Sequence, residues 1–427
     1  MSKIAILGAG AMGLAAAHHA LKLGHDVTIF EADKVPGGMA AHFNFGGLSI
    51  ERYYHFVCKT DKATFELMEE LSIGDKMRWV DTDMAYYING KTYPWGDPIS
   101  LLKFPLMSLV QKFRYGASAF WQTKRKNFNS IEHLNAKDWI IRDCGEKTFD
   151  LLWRRLFDLK FYEYADNISA SWIATRMRRI GRSRRSIFQE QLGYIDGGTE
   201  ILVNALIKSI NDKGGKINLR TAVQKIISKD GKVAGVQTAN GLVEFDYVIS
   251  TVPTPFISEI ASDLTTEEKN KYAAINNIGV VCLVYKLKKS VSPYFWMNIN
   301  DERIQLPGII EFSNLRPTGD HIVYVPYYMP VTNEKFSWPD DKILDEAWGY
   351  LKMINLDLTD DDKIEAVAAR LKYAQPICPP NFLDQLPEVQ TSIEGLQVAD
   401  TCFYYPEDRG ISESVHIGKT MIQNISK

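Results

Sequence analysis

The hydrophobic pattern at the start of the chain predicts a strand, a helix and a second strand in close succession. Lys3 to Leu7 is a nearly unbroken apolar run, which is typical of a buried parallel strand. Ala11 to Leu23 is rich in alanine and leucine and stops at Gly24, as a helix does. Asp26 to Glu31 then predicts the second strand. The short connections indicate the beginning of a parallel α/β sheet.

The middle of the chain follows a different period. Lys62 to Trp79 and Asp97 to Phe128 place apolar residues at helical spacing among aromatic and basic residues, which predicts an inserted helical region. For Pro98 to Trp121, where few side chains are charged, the favoured interpretation is a buried helix pair within a substrate domain. The alternative is an amphipathic element at a membrane interface.

From Gly193 onward the pattern indicates sheet-building again. Thr199 to Lys213 predicts a helix between the Gly197-Gly198 turn and Gly214. Short strands are predicted around it at Lys216 to Arg220, Ala222 to Ile226, Val233 to Thr238 and Val243 to Ser250. A later group of aromatic-rich strands predicts a second sheet that faces the substrate, at Gly279 to Leu287, Gly308 to Phe312 and His321 to Pro326. Asp340 to Leu356 predicts a charged helix after them.

Composition limits the classes of protein that fit. With 427 residues, 45% of them hydrophobic and 24% charged, the chain has an ordinary globular composition and the length for two domains. A formal net charge of -2 gives no general attraction to nucleic acid. The five cysteines are scattered and contain no C-x-x-C pair, so we expect a reducing, cytoplasmic location. Neither a signal peptide nor a membrane-spanning segment is expected.

Metal and hydrolytic chemistry have no sequence motif here. The histidines include no H-x-x-x-H pair, and the adjacent His18 and His19 lie on the first predicted helix, where ligand geometry is poor. No G-x-S-x-G nucleophile elbow is present. We therefore predict no metal site.

The first motif with a chemical consequence is G-x-G-x-x-G, formed by Gly8-Ala9-Gly10-Ala11-Met12-Gly13 between the first strand and the first helix. The first glycine permits the tight turn, the second lets a pyrophosphate approach the backbone, and the third lets helix and strand pack closely. Glu31 ends the second strand, where an acid binds a ribose hydroxyl and repels a 2'-phosphate. The pattern predicts FAD or NAD rather than NADP.

Three further segments resemble the flavin-dependent amine oxidase and protoporphyrinogen oxidase superfamily. The first is Glu31-Ala32-Asp33-Lys34-Val35-Pro36-Gly37-Gly38, which is similar to the second glycine pair of that superfamily. The second is Gly193-Tyr194-Ile195-Asp196-Gly197-Gly198, with Val223 in a nearby short strand. The third is Leu396 to Asp400 followed by Arg409-Gly410-Ile411-Ser412-Glu413-Ser414, which resembles the family's closing motif. A helix N-terminus there would face the flavin N1-C2=O edge.

The resemblance implies a noncovalently bound FAD cofactor and an α/β fold, with a Rossmann-type FAD-binding domain interleaved with an α+β substrate domain. The FAD-binding domain is expected at 1–60, 190–255 and 385–427, and the substrate-binding domain at 61–189 and 256–384. The implied FAD-binding residues are Gly8, Gly10, Ala11, Met12, Gly13, Glu31, Ala32, Gly37, Gly38, Met39, Val223, Asp400, Gly410, Ile411 and Ser412.

Candidate catalytic and substrate-binding residues come from two other segments. Tyr53, Tyr54 and His55 fall where the resemblance places chain near the flavin ring, so they are candidates to shape the site or, for His55, to move a proton. Many amine oxidases of the superfamily have a lysine near the position of Val281, and the nearest lysine here is Lys286, which weakens an amine oxidase assignment.

A basic run after an aromatic stretch has two interpretations. It is either a solvated helix face or a binding site, for a phosphate-bearing small molecule or for an acidic lipid surface. Its arginines are Arg176, Arg178, Arg179, Arg182, Arg184 and Arg185, of which Arg176 and Arg179 are the candidate substrate contacts.

The first functional hypothesis is an oxidoreductase that passes a hydride from an organic substrate to flavin N5, with oxygen, a quinone or another carrier as final acceptor. No second G-x-G-x-x-G follows a strand, so a dedicated NAD(P)H domain is not expected. The alternative is a non-redox sugar-nucleotide mutase, because UDP-galactopyranose mutases share this flavin fold and use arginines to hold a diphosphate. A binding or assembly module with a structural flavin is the third hypothesis.

Overall fold

The computed structural model describes residues 1–425 as an α/β structure with one parallel sheet and one large mixed sheet. In chain order the strands are β1 (Lys3–Leu7), β2 (Asp26–Phe30), β3 (His42–Phe45), β4 (Leu48–Glu51), β5 (Met77–Thr82), β6 (Met84–Ile88), β7 (Lys91–Trp95), β8 (Arg184–Ser186), β9 (Gln189–Ile195), β10 (Lys216–Asn218), β11 (Val223–Lys229), β12 (Lys232–Thr238), β13 (Gly241–Glu244), β14 (Tyr247–Ser250), β15 (Asn277–Leu287), β16 (Trp296–Asn300), β17 (Gly308–Glu311), β18 (His321–Met329), β19 (Lys363–Pro376) and β20 (Leu396–Val398). The α-helices are α1 (Ala11–Lys22), α2 (Lys62–Glu70), α3 (Pro98–Lys103), α4 (Leu109–Lys124), α5 (Ala136–Cys144), α6 (Glu146–Phe149), α7 (Arg155–Phe161), α8 (Ala170–Arg182), α9 (Glu200–Asp212), α10 (Ile257–Ile260), α11 (Thr266–Ala274), α12 (Asp340–Ile354), α13 (Phe382–Gln385) and α14 (Ile411–Ile425).

The parallel sheet has the strand order β10-β2-β1-β14-β20. Its central strand β1 is almost completely buried, as the apolar run at Lys3 to Leu7 predicts. Helices α1, α9 and α14 cover one face, and the small sheet β11-β12-β13 packs toward the other. Because all five strands run parallel, their carboxyl ends meet at one edge, where ligands bind in open α/β sheets.

The larger sheet has the order β19-β15-β18-β17-β16-β6-β7, and β15 lies between two antiparallel partners. Successive side chains of β15 alternate between its two faces, as strand geometry requires. Val281, Leu283 and Tyr285 pack toward α12, whereas Cys282 and Val284 pack into the core beneath Tyr324 and Tyr328. The predicted aromatic sheet is thus confirmed, and the sequence pattern missed four of its strands, β6, β7, β16 and β19.

Two predictions of local structure are wrong. The helical pattern of Lys62 to Trp79 ends at Glu70, and Met77–Thr82 instead forms β5, which pairs with β9. The run Val243 to Ser250 is divided between β13 and β14, which belong to different sheets. In both cases pairing with a distant strand outweighs the local hydrophobic period.

The favoured interpretation of Pro98 to Trp121 as a buried helix pair is also wrong. The two helices form, but Gln122 is the only residue of α4 that is buried, and α3 has none. Within residues 1–425, no helix is both long and apolar enough to cross a bilayer. The division of the chain into two domains stays a prediction, and its segment 385–427 ends two residues beyond the described part of the chain.

Candidate active site

The glycine turn after β1 has the geometry that a pyrophosphate needs. Gly8 has a left-handed φ of +98°, and a Cβ built on Gly13 would lie 2.0 Å from the Gly8 carbonyl oxygen. Both positions therefore require glycine for the fold itself. Gly10 differs, because it has extended backbone and a Cβ there would meet no atom within 4 Å. The space that this Cβ would fill lies at the N-terminus of α1, where backbone N–H groups attract an anion.

The second glycine pair packs directly against the first. The Gly37 amide donates to the Ala9 carbonyl oxygen at 2.8 Å, and a Cβ on Gly38 would lie 3.1 Å from the Gly10 Cα. The Glu31 carboxylate accepts hydrogen bonds from the Ala9 amide at 2.7 Å and from the Asp33 amide at 2.8 Å. The folded chain thus brings the glycine turn after β1, the Gly37-Gly38 pair and Glu31 together in one cluster of loops.

The remaining predicted FAD contacts lie at the same edge of the parallel sheet. Thr221, two residues before Val223, donates its amide to the Glu31 carbonyl oxygen at 2.8 Å. Asp400 follows β20 and is buried, and its carboxylate accepts from the Thr254 amide at 2.7 Å and from the Cys402 amide at 2.8 Å. These bonds use main-chain donors of two loops, so Asp400 holds the loops together.

Gly410, Ile411 and Ser412 lie at the start of α14, which packs tightly on α1. A Cβ on Gly418 of α14 would lie 2.5 Å from the Met12 carbonyl oxygen. This close contact packs α14 directly against the first turn of α1. Ala32 and Met39 lie in the loop after β2, with Ala32 exposed and Met39 partly buried.

FAD fits the residues that the structure brings together. The open cradle at Gly10 and the α1 N-terminus would hold the pyrophosphate, and Glu31 the ribose. The start of α14 would place positive helix-dipole charge near the ring system. The individual contacts stay predictions, and their clustering is what the structure adds.

Beyond the start of α14 lies an aromatic wall formed by Tyr54, Trp296, Tyr324 and Tyr328. The Tyr54 ring meets Trp296 and Tyr324 edge-on at 5.7 Å and 5.8 Å. Burial raises the pKa of the Tyr54 phenol, and the neighbouring Tyr328 raises it further. Tyr54 is therefore neutral and suited to contact an apolar group rather than to lose a proton.

Tyr53 and His55 flank the same wall. Burial also raises the pKa of the Tyr53 phenol. Burial lowers the pKa of His55 to about 4, against the opposing charge of Glu51, so the imidazole is neutral at pH 7. Among residues 1–425 its buried Nδ1 has no hydrogen-bond partner. A catalytic role for these three residues stays a prediction, and the low pKa of His55 makes it a weak base.

A cationic cluster that the sequence did not indicate adjoins the aromatic wall. Arg409 donates to the Tyr328 phenol at 2.8 Å, and the Lys160 ammonium lies 4.8 Å from the Tyr328 ring centroid. Arg176 pairs with Asp408 at 2.7 Å. Burial alone would raise the pKa of Asp408, but Arg176, Lys160 and Arg409 lower it to about 2. Three cations thus share one anion.

Lys160 is the unbalanced member of this cluster. Burial lowers its pKa, and the charges of Arg176 and Arg409 lower it further. The Lys160 ammonium lies 5.7 Å from the Phe161 ring centroid and 4.8 Å from that of Tyr328, and Asp408 is the acid that offsets its charge. Within residues 1–425 the buried Nε of Arg176 has no hydrogen-bond partner. Uncompensated buried cations attract an anionic group. The cluster comes from α7, α8 and the loop before α14, so no local motif could have revealed it.

Gln375 presents a second set of free polar atoms beside Arg409. It is only 1% exposed, and both its amide nitrogen and its amide oxygen lack a partner within residues 1–425. Gln375 lines a small cavity together with Asp408, Arg409 and Tyr405. Buried amides without partners are costly, and this cavity of about 10 Å³ has room for about one water molecule beside them.

Most arginines of the predicted basic run have partners within the protein. Arg179 makes a two-point contact with Asp61 at 2.7 Å and 3.2 Å, and both side chains are buried. The remaining arginines of the run pair as follows: Arg178 with Glu407, Arg182 with the Thr123 carbonyl, Arg184 with the Gly96 carbonyl, and Arg185 with Asp81. Arg176 pairs with Asp408 of the cationic cluster, and Arg179 lies close enough to help lower the pKa of Asp408. Substrate contact by Arg176 and Arg179 stays a prediction.

Lys286 lies outside the site. Its ammonium donates to the Gly46 carbonyl oxygen at 2.8 Å and pairs with Asp320 at 3.0 Å. His18, His19 and Glu70 come close enough to suggest a metal, with ligand atoms within 4.8 Å of one another. However, Lys22 already pairs with Glu70 at 2.6 Å and Ser209 contacts the His18 ring at 2.9 Å, so we assign no metal there.

Comparison with known proteins identifies curated relatives and solved structures that are similar to this chain. A 15-cis-phytoene desaturase from Arabidopsis thaliana is 23% identical over 282 residues, which are 61% of this chain and 49% of the relative. The chain thus spans about half the length of that curated relative. A putative protoporphyrinogen oxidase from Exiguobacterium sp. 255-15 superposes with a TM-score of 0.76 at 17% identity, over 99% of this chain and 98% of the other. A reduced UDP-galactopyranose mutase superposes with a TM-score of 0.74 at 17% identity, over 100% and 96%.

The model of one protein family, described as flavin containing amine oxidoreductase, matches residues 13–371. The predicted α/β fold is confirmed by the superposed structures, and the predicted FAD cofactor by the family match. The chain belongs to the flavin-containing amine oxidoreductase family.

Proposed function

We propose that this protein is an FAD-dependent dehydrogenase of an apolar organic substrate that carries an anionic end group. When bound, FAD supplies a hydride acceptor at its N5 atom. The observation that carries the proposal is the position of Arg409. This residue directly precedes the predicted flavin contact Gly410, donates to Tyr328 of the aromatic wall and lies in the cationic cluster.

The aromatic wall supports an apolar reacting segment. Tyr54 makes edge-on contacts with Trp296 and with the buried Tyr324, and these rings are mostly hydrocarbon. The first named relative is a desaturase, an enzyme that removes two hydrogens from adjacent carbon atoms and so forms a carbon–carbon double bond. In such a reaction one hydrogen leaves as a hydride to the flavin and the other as a proton to water or a base. Oxygen, a quinone or another carrier would then reoxidise the flavin.

The cationic cluster supports an anionic end group, a carboxylate or a phosphate. The buried Nε of Arg176 has no partner within residues 1–425, Lys160 lies beside it, and guanidinium and ammonium groups bind these anions strongly. Amine oxidation has less support, because the central part of β15 carries no lysine and Lys286 is held by Gly46 and Asp320. A cationic amine would also be repelled by the cluster.

The proposal is tested with the purified flavoprotein under anaerobic conditions. Acid precipitation should release the flavin into the supernatant, as noncovalent binding predicts. The protein is then mixed with an isoprenoid phosphate, a long-chain fatty acid and the neutral alcohol of each. We expect flavin bleaching by one anionic compound and much weaker bleaching by its alcohol. Bleaching by amines, with none by the apolar anions, would contradict the proposal.

Variants at the cluster make the test specific. Lys160→Met and Arg176→Met should raise the KM for the anionic substrate by about tenfold or more, since a charged hydrogen bond contributes roughly 1.5 to 3 kcal/mol. The KM for a neutral analogue should change little. Lys342→Met, which changes an exposed lysine of α12, is the matched control for removal of a lysine.

A non-redox sugar-nucleotide mutase is the second candidate, favoured by the superposition on the reduced mutase and by the arginine run. It has less support, because Arg178, Arg179, Arg182, Arg184 and Arg185 each have an acidic or carbonyl partner within the protein. Turnover of a UDP-sugar after chemical reduction of the flavin, with no net electron flow, would place this candidate first.

The cytoplasmic location also remains a proposal. All five cysteines are buried and free within the described residues, which suits a reducing compartment.

A further inference from the structure

The outer side of the α3–α4 pair is an apolar face that nothing in residues 1–425 covers. It consists of Ile99, Leu102, Leu106, Leu109, Val110, Phe113, Phe120 and Trp121. Leu109 is 77% exposed, Phe113 78% and Trp121 66%. Isolated exposed apolar residues are ordinary, whereas a contiguous group of large ones marks an interaction surface.

The apolar face belongs to a well-anchored element. Tyr115, on the inner side of α4, packs against Trp95 with ring centroids 5.2 Å apart, and Arg114 donates to the carbonyl oxygens of Arg142 and Asp143. Ser108 begins α4 with a capping box. At 3.6 residues per turn, the five outer residues of α4 fall within an arc of about 120°. The inner side therefore packs on the protein while the outer side points away from it.

A β-hairpin extends this surface. Ile187 and Phe188, at the tip between β8 and β9, are 68% and 53% exposed. Arg184 donates to the carbonyl oxygens of both Ile187 and Gly96, two residues before α3. The hairpin tip thus lies beside the start of the helix pair.

The charge along the helix pair is mainly positive, with Asp97 at the start of α3 as the adjoining acid. Residues 98–128 contain six lysines and arginines and no aspartate or glutamate, although the whole chain has a formal net charge of -2. Lys124 places its ammonium 5.5 Å from the Phe120 ring centroid, at the border of the face. Large apolar side chains bordered by cations match the interface of a bilayer that contains anionic lipids.

We propose that the apolar face docks the protein on an anionic lipid bilayer, with Phe113, Phe120 and Trp121 inserted and Lys103, Lys124 and Lys126 near the headgroups. A second copy of the chain is a poorer occupant. In a two-fold contact the same cationic border would face itself, and the like charges would repel. This proposal does not depend on the reaction at the flavin.

The test is co-sedimentation of the intact flavoprotein with vesicles. Vesicles of equimolar phosphatidylcholine and phosphatidylglycerol should bind the protein, and pure phosphatidylcholine vesicles should bind it more weakly. Phe113→Ser combined with Trp121→Ser should weaken partitioning by at least about tenfold, because two aromatic side chains no longer enter the bilayer. Lys124→Glu combined with Lys126→Glu should abolish the preference for phosphatidylglycerol.

A matched variant distinguishes vesicle binding through the apolar face from nonspecific adsorption. Leu356→Ser removes another apolar side chain, 86% exposed, from the end of α12 and should leave vesicle binding unchanged. Flavin content and thermal unfolding verify that each variant is folded. The proposal is overturned if the protein does not bind anionic vesicles, or if the Phe113 and Trp121 variant binds as the wild type does. A dimer in solution that the same variant dissociates would identify a second copy as the occupant instead.

Discussion

The guanidinium of Arg409 donates a hydrogen bond of 2.8 Å to the phenol oxygen of Tyr328, which joins the residue before α14 to strand β18. Arg409 also donates to the Ala374 carbonyl oxygen at the end of β19. The segment predicted to approach the flavin is therefore held against the sheet that forms the aromatic wall. A change in this contact should therefore affect the cofactor site as well as the substrate site.

Tyr328→Phe should slow flavin reduction by substrate by about tenfold and shift the flavin reduction potential. The reason is that Arg409 loses an acceptor and the start of α14 is less firmly positioned, and a hydrogen bond to a charged group is worth roughly 1.5 to 3 kcal/mol. Anaerobic stopped-flow absorbance and potentiometry provide the measurement. Tyr327→Phe, on the opposite face of the same strand with its phenol on Glu346, is the control and should do neither. Equal effects of the two variants would contradict a role for the Arg409 contact.

Gly10→Val should yield folded protein without bound flavin. A side chain at Gly10 meets no protein atom, so it would occupy only the space intended for the pyrophosphate. Gly13→Val should instead prevent folding, since its Cβ would lie 2.0 Å from the Gly8 carbonyl oxygen. The ratio of flavin to protein absorbance and the far-ultraviolet circular dichroism distinguish the two outcomes. A Gly10→Val protein with full flavin content would refute the cofactor placement.

Arg179→Met should destabilise the protein by about 3–5 kcal/mol, because Asp61 would keep a buried and unpaired charge. Replacing both partners, as Arg179→Met with Asp61→Leu, should recover most of that loss. Lys208→Met breaks the exposed pair with Asp212 and should change stability by less than about 1 kcal/mol. Denaturant unfolding measures all three. If Arg179→Met left stability unchanged but raised KM, the substrate role predicted from sequence would be supported instead.

We expect the wild type to lose stability between about pH 4.5 and 7 because of Glu190, and Glu190→Gln not to show this loss. Burial raises the pKa of Glu190 to about 7 from an ordinary value of 4.5, against the hydrogen bond from Thr82. A raised carboxyl pKa means that the stability is fully present below about pH 4.5 and is lost as the pH rises through about 7. The advantage of the variant over wild type should therefore grow across this interval by at most about 1.4 kcal/mol per pH unit.

Thermal unfolding of wild type and Glu190→Gln at several pH values tests this expectation. Glu244→Gln changes an exposed carboxylate in β13 and is the matched control. A constant difference between Glu190→Gln and wild type across the interval would show that the Glu190 carboxyl does not titrate there.

Local sequence was a good guide wherever one segment forms the whole structural feature. The glycine turn, the acid after β2 and the start of α14 each consist of neighbouring residues whose spacing is dictated by backbone geometry. Lys160 and Gln375 lie outside any such motif, and their significance comes from contacts with Arg409 and Asp408 in other elements. The basic run could not be interpreted from sequence alone for a related reason, since the acids that pair with Arg178 and Arg179 are distant in sequence.

The sequence by itself determined the parallel sheet, the dinucleotide-binding turn and the flavin family, because strand burial, tight turns and anion binding depend on adjacent residues. Only the tertiary structure decided which side of the α3–α4 pair faces outward and which cations lie beside the aromatic wall. An apolar helix has the same periodic pattern whether its apolar side meets a protein core or a bilayer. The choice between them depends on what packs there, and that is a property of the folded chain.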